Sequence, residues 1–294
     1  TLALSRRTTR RHFLLHPDEA REMEQIYWYC LAHAAKLHGV LVHAACLMST
    51  HAHEVITDVR GVYPDFLETF HRNLALCTKA LRGWPEEVFN KRSSGVHALL
   101  TPDAIVEAIA YLIANPVAAG AVRYAKDWPG AQTLPAHVGT RVIRVKRPKH
   151  YFDPDNLEWP EEIELRLEMP VALELDYGPE LARQRIAERV RDKQHQAWNE
   201  AKRTGRSFVG PRRLVKMAHT KRATSDEVFG SLNPQFAAAG HRGAANEAVK
   251  RLRAFKAQYT RAFAAWTSGN RNACFPLGTW WMRVCHGARC GPAP

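Results

Sequence analysis

Apolar side chains recur at steps of three and four through residues 17–38, where Met23, Ile26, Tyr27, Cys30, Leu31, Ala34 and Leu37 share one stripe. This spacing predicts a helix that Gly39 stops. Residues 1–9, 40–48 and 52–58 read as strands, and Pro64 opens a second helix whose stripe is Phe66, Phe70, Leu74, Cys77 and Leu81, ended by Gly83. A short extended piece at 95–100 leads to Thr101-Pro102-Asp103, an N-cap residue followed by proline and an acid in the first turn. The helix begun there is expected to end near Ala114, because the residue before Pro116 is pushed away from the α region.

The order strand, helix, strand, strand, helix, strand, helix predicts an α+β fold, a mostly antiparallel sheet with helices on one side, and the RRM or ferredoxin-like plan is its nearest relative. Residues 129–140 carry Pro and Gly without periodicity and read as a linker, so a domain of residues 1–138 and a basic, mostly helical region of residues 139–294 are expected. In the second region, Ile163, Leu165, Leu167 and Met169 alternate with Glu164, Arg166 and Glu168 as in a half-buried strand. Residues 179–203 and 245–268 read as long helices rich in Arg and Lys.

Composition narrows the class. The chain has 294 residues, 46% hydrophobic and 24% charged, enough to bury a core and unlike a disordered chain. Forty-two Lys and Arg against 29 Asp and Glu give a net charge of +13, the electrostatic footprint of a polyanion binder. No apolar stretch reaches the roughly 20 residues of a membrane-spanning helix, and the basic N-terminal residues show no secretory pattern. Of the six cysteines, Cys30, Cys46 and Cys77 sit in apolar periodic segments and are expected to be reduced core residues. Cys285, His286 and Cys290 lack the second ligand pair of a recognisable zinc motif.

Two patterns carry chemistry. His51 and His53 are two apart on a strand, so both imidazoles face one side with Cα atoms about 6 to 7 Å apart, a spacing that suits a shared metal ion. By itself such a pair is also common on surfaces and in satisfied cores. Four-residue spacing places Glu107, Tyr111 and Asn115 on one face of the helix from Pro102, while Ile105, Ile109, Leu112 and Ile113 take the neighbouring, buried face. A metallo-β-lactamase arrangement fails, because Val55 and Ile56 follow Glu54 where an acid and a third histidine are needed.

Together the two patterns resemble the single-tyrosine HUH transposases. Met48-Ser49-Thr50-His51-Ala52-His53 is similar to their Met-Pro-Asn-His-hydrophobic-His strand. The run Tyr111-Leu112-Ile113-Ala114-Asn115-Pro116-Val117-Ala118-Ala119-Gly120-Ala121-Val122 resembles the Tyr-Ile-x-x-Asn-Pro-Val-Arg-Ala-Gly-Leu-Val of the REP-associated tyrosine transposases, a branch of the IS200-like group. The likeness spans residues 1–135, with a weaker echo at residues 275–281. Ser49-Thr50, Ala52, Glu54 and Ala118 depart from the pattern. In relaxases, the tyrosine precedes the histidines, and replication initiators place a lysine where Ala114 and Asn115 stand.

The resemblance implies a metal-dependent single-stranded DNA endonuclease and transesterase. Tyr111 would be its nucleophile, leaving a 5′-phosphotyrosine, and Glu107 a base or outer-shell group. His51, His53 and Asn115 would hold Mg2+ or Mn2+. It implies a hairpin-bearing single-stranded DNA partner flanked by tetranucleotide guides, a cytoplasmic, nucleoid-associated setting in a prokaryote, and no membrane. A monomer is expected, with a homodimer as the alternative. Arg6, Arg7, Arg10 and Arg11, then Arg141, Arg144, Lys146, Arg147 and Lys149, then Arg212 and Arg213 are candidate phosphate contacts, as is the basic segment 202–206. Trp128, Tyr151, Phe152 and Trp159 are candidate stacking platforms. Two other readings remain open: a catalytically silent DNA- or RNA-binding protein on the same scaffold, and a phosphodiesterase that uses water.

Overall fold

The computed structural model describes residues 1–90, 94–224 and 235–291. Its order is β1 (Leu2–Arg7), α1 (Glu22–His38), β2 (Leu41–Leu47), β3 (His51–Thr57), α2 (Tyr63–Arg82), β4 (Gly95–Leu99), α3 (Pro102–Ala118), β5 (Val142–Lys146) and β6 (Glu162–Arg166). There follow α4 (Val171–Tyr177), α5 (Pro179–Arg203), α6 (Pro211–Leu214), β7 (Phe236–Ala237), α7 (Arg242–Thr267), β8 (Cys274–Phe275), α8 (Trp280–His286) and β9 (Arg289–Cys290). The main sheet has the order β2-β3-β1-β4-β7, antiparallel except for β4 with β7, so the chain is a mixed α+β fold. Its first six elements run β-α-β-β-α-β. None of the described helices is long and apolar enough to cross a membrane.

Local chemistry sets the element ends. Asp18 accepts hydrogen bonds from the backbone N–H groups of Glu22 and Met23, satisfying donors that a helix start leaves open, so α1 begins five residues later than Pro17 suggested. Gly39 and Gly83 close α1 and α2 in the left-handed conformation that a glycine adopts without strain. Thr101 caps α3 through Ala104 N–H. That helix does not stop at Ala114. It runs through Pro116 to Ala118, because the backbone of the last turn is still used: Asn115 C=O accepts from Ala119, Pro116 C=O accepts from Ala121, and Gln132 Nε2 donates to Ile113 C=O at 2.7 Å.

Helices cover both faces of the sheet, where one covered face was expected. Leu4, Ala45, Leu47, Ala52 and Ile56 pack with α1 and α2 on one side. Ala44, Cys46, Met48, Val55 and Leu99 pack with α3 on the other. The strands therefore need apolar residues on both faces, which explains the nearly unbroken apolar run of β2. The packing also crosses residue 138. Ile143, Val145, Ile163 and Leu165 of the β5–β6 ladder join the α1–α2 core, and Ala182, Ile186, Val190 and Ala197 of α5 join the α3 core. The β5 alternation of buried Ile143 and Val145 with exposed Arg144 and Lys146 lies inside the stretch read above only for its charge.

Glu54 is the one buried acid among the described residues, 1% exposed in the α1–α2 core, and accepts a 2.7 Å hydrogen bond from Tyr27 Oη. Burial pushes its carboxyl up to about 8, against an ordinary value of 4.5. The folded state therefore keeps a proton that the unfolded chain releases, and stability falls by up to about 1.4 kcal/mol per pH unit as pH rises between those two values. Glu54→Gln removes this slope. In thermal unfolding, its Tm should gain on that of the parent steadily from pH 5 to pH 8; parallel curves across that range would show that Glu54 is not held neutral.

Candidate functional site

β3 lies between β2 and β1 and is hydrogen-bonded along both edges, so its side chains alternate strictly between faces. Ala52, Glu54 and Ile56 go to the α1–α2 side, and His51, His53 and Val55 go to the α3 side. A tight turn, closed by Met48 N–H to His51 C=O at 2.8 Å, places His51 at the strand start. The two imidazole centroids are 4.7 Å apart with planes at 87°. In the register with β1, Arg7 stands opposite His51 and Ser5 opposite His53.

α3 brings the second half of the site. Tyr111 sits edge-on to His53, with ring centroids 5.6 Å apart, and is 52% exposed. Asn115, one turn on and only 8% exposed, has its side chain beside His51, where it favours the charged ring. Thr50 Oγ1 lies 2.9 Å from Nδ1 of that ring and so fixes the orientation of His51. Four of the five residues singled out for chemistry, His51, His53, Tyr111 and Asn115, thus come together.

Burial lowers both imidazoles from their ordinary value. His51 falls well below it, with His53 and Arg7 adding to the effect, and His53 falls to about 4, with Arg7 again lowering. Both rings are therefore neutral at pH 7 and offer lone pairs, the form in which histidine binds a metal. A cleft of about 530 Å³ opens beside them, lined by Ser5, Arg7, His53, Glu107, Tyr111 and Lys193 among others. Gly95 makes room at its edge, since a Cβ there would stand 2.5 Å from Ser5 Oγ.

Glu107 differs from the simple expectation of a base. α5 packs along α3 and ties up its carboxylate, Lys193 Nζ at 2.8 Å on one oxygen and Arg189 Nε at 3.0 Å on the other. Glu107 is thus an anchor for a cation at the cleft wall. Nothing local in the sequence links Lys193 to a tyrosine 82 positions earlier. Its one signal is the four-residue spacing from Arg189, which puts both cations on one face of α5.

Among the described residues, no three His, Cys, Asp or Glu side chains are placed to share an ion. The cleft set has two such ligands plus a carboxamide, a mixed nitrogen and oxygen donor set. Cys285 is exposed, and the half-buried Cys290 directs its sulfur toward Thr279 C=O.

The basic candidates disperse. Arg7 lines the cleft, whereas Arg6 points to the opposite face and lies over Phe89. Arg10 and Arg11 form a short turn beyond β1 with positive φ. Arg144 pairs with Glu164, Arg147 donates to Trp159 C=O and Arg141 to Gln132 C=O, while Lys146 and Lys149 are exposed. Arg212 and Arg213 are exposed on α6. Of the proposed stacking platforms, Trp128 and Phe152 are buried, Trp159 packs against Phe152, and Tyr151 alone is exposed. No protein-family model, curated protein or solved structure matches this chain.

Proposed function

We propose that the chain is a tyrosine-dependent, metal-assisted nuclease and strand transferase acting on single-stranded DNA, of the HUH type, with residues 1–135 as its catalytic scaffold. The observation that supports it best is the placement of a half-exposed phenol 5.6 Å, ring to ring, from the inner member of a neutral histidine pair. A buried structural tyrosine would hide its hydroxyl; Tyr111 presents it to a cationic cleft.

In this reading, a DNA strand enters the cleft with its scissile phosphate between Arg7 and Lys193, whose charges offset the phosphate's own. Tyr111 Oη attacks phosphorus, the bond to the 3′ oxygen breaks, and that oxygen leaves as a 3′-hydroxyl after taking up a proton. The phenolic proton passes to solvent, which reaches Tyr111 directly. The product is a 5′-phosphotyrosine that keeps the phosphodiester's energy, so a second 3′-hydroxyl can reverse the step on another strand. Arg7 and Lys193 bring positive charge to the cleft that Tyr111 lines, which favours the negative charge its oxygen carries as it attacks. When bound, Mg2+ or Mn2+ held by His51, His53 and Asn115 would polarise the phosphate as a Lewis acid. Glu107 acts on Lys193, holding its ammonium at the cleft wall.

The target is a single strand carrying a hairpin, and the protein acts as a monomer. Incubation with labelled hairpin-bearing single-stranded DNA and Mn2+ should give a protein–DNA adduct that survives a denaturing gel. Tyr111→Phe should abolish it, and His53→Ala should reduce it by at least about tenfold at limiting metal. Cleavage without any adduct would assign the reaction to water, and binding without cleavage on every hairpin tested would leave a nucleic-acid-binding module.

A further inference from the structure

The two faces of the β1–β4 pair open onto different hollows. Ala3, Ser5, His97 and Leu99 look into the Tyr111 cleft. Their neighbours Leu2, Val96 and Ala98 floor a separate hollow of about 800 Å³ on the opposite face. Tyr63 of α2 forms one wall of it, and Phe255, Tyr259 and Trp281 form the other. A smaller hollow of about 350 Å³ adjoins it through Tyr63, Gly278 and Thr279, and adds Arg60 and Arg283. The two make one trough, aromatic along its length and cationic at one end.

Three observations bear on its occupant. Trp281 is 68% exposed at the trough wall, although an apolar cluster of Phe275 and Met282 stands nearby. Phe255 and Tyr259 hold their rings within 18° of parallel at 6.4 Å between centroids, presenting flat faces in series. α7, which carries both, has Arg242, Lys250, Arg251, Arg253, Lys256 and Arg261 against the single acid Glu247, and Ala262 is its one buried residue among those described.

From this geometry we infer that the trough is a binding site for single-stranded nucleic acid, apart from the Tyr111 cleft. Unpaired bases stack on Tyr63, Phe255 and Trp281 while their phosphates meet Arg60 and Arg283 at the cationic end. Asp58, the acid in the trough, is already used by the loop, accepting from the backbone N–H groups of Arg60 and Tyr63. The charge excludes the simplest alternative, a second copy of the chain, since pairing α7 with itself would set six cations against six. A duplex stacks its bases on each other and has no free faces for the aromatic wall.

The site stands independently of the transesterase reading, and its test runs with a chelator present so that no cleavage step enters. An oligothymidylate of about 16 nucleotides is titrated into the full chain and followed by fluorescence anisotropy. It should bind at least about tenfold tighter than a duplex of equal length, and weaken steeply with salt. Trp281→Ala and Phe255→Ala should each weaken it by about fivefold or more, with unfolding temperatures unchanged. Leu175→Ala, an apolar truncation on α4 at a still more exposed position, should do nothing. Equal affinity for duplex, or binding that ignores Trp281→Ala, would overturn the assignment. Should Phe255→Ala unfold the protein, the exposed Trp281 still decides.

Discussion

The central strand β3 is the constraint on which the rest depends. Paired on both edges, it has no freedom to slip: a shift of one residue would send His51 and His53 into the α1–α2 core and Ala52 and Ile56 to the cleft. The register is held by what each face buries. Ala52 and Ile56 are fully buried under α1 and α2, and Val55 packs under α3. A strand that packs apolar residues on both sides thus fixes the convergence of two imidazoles at no further conformational cost.

α3 supplies the other half by the same logic. Its apolar face, Ile105, Ile109, Leu112 and Ile113, is driven against the sheet, and this leaves Glu107, Tyr111 and Asn115 along the boundary between core and solvent. Continuation of the helix past Pro116 matters here. Had it ended at Ala114, Asn115 would lie outside the helical phase that carries it to His51. Gln132, from the loop beyond, stabilises that last turn through Ile113 C=O. The far side of α3 is covered by α5, whose Arg189 and Lys193 hold Glu107 and bring a cation to the cleft from a segment outside the stretch that resembles the transposases.

Much of this was legible in the sequence, for stated reasons. Strand and helix periodicities placed β1 to β4 and α1 to α3 within five residues at either end, and α5 at its exact bounds. The histidine pair and the Tyr–Asn spacing were readable because side-chain direction follows directly from regular backbone. What local pattern did not contain was partnership over distance. Lys193 reaches Glu107 only through α3–α5 packing, the β5–β6 ladder joins the first core across an expected linker, and the second covered face of the sheet follows from α3 folding back on it. Leu37, expected on the apolar stripe, is exposed in the last turn of α1.

The proposed chemistry needs a divalent cation at His51, His53 and Asn115 with Tyr111 beside it. Paramagnetic broadening by Mn2+ in NMR spectra of ring-labelled tyrosines measures this directly, with Mg2+ as the diamagnetic reference and Tyr111→Phe for assignment. Substoichiometric Mn2+ should broaden the Tyr111 signal first and most strongly, and His51→Ala should abolish the effect. A Tyr111 signal no more broadened than that of the distant, exposed Tyr151 would contradict it.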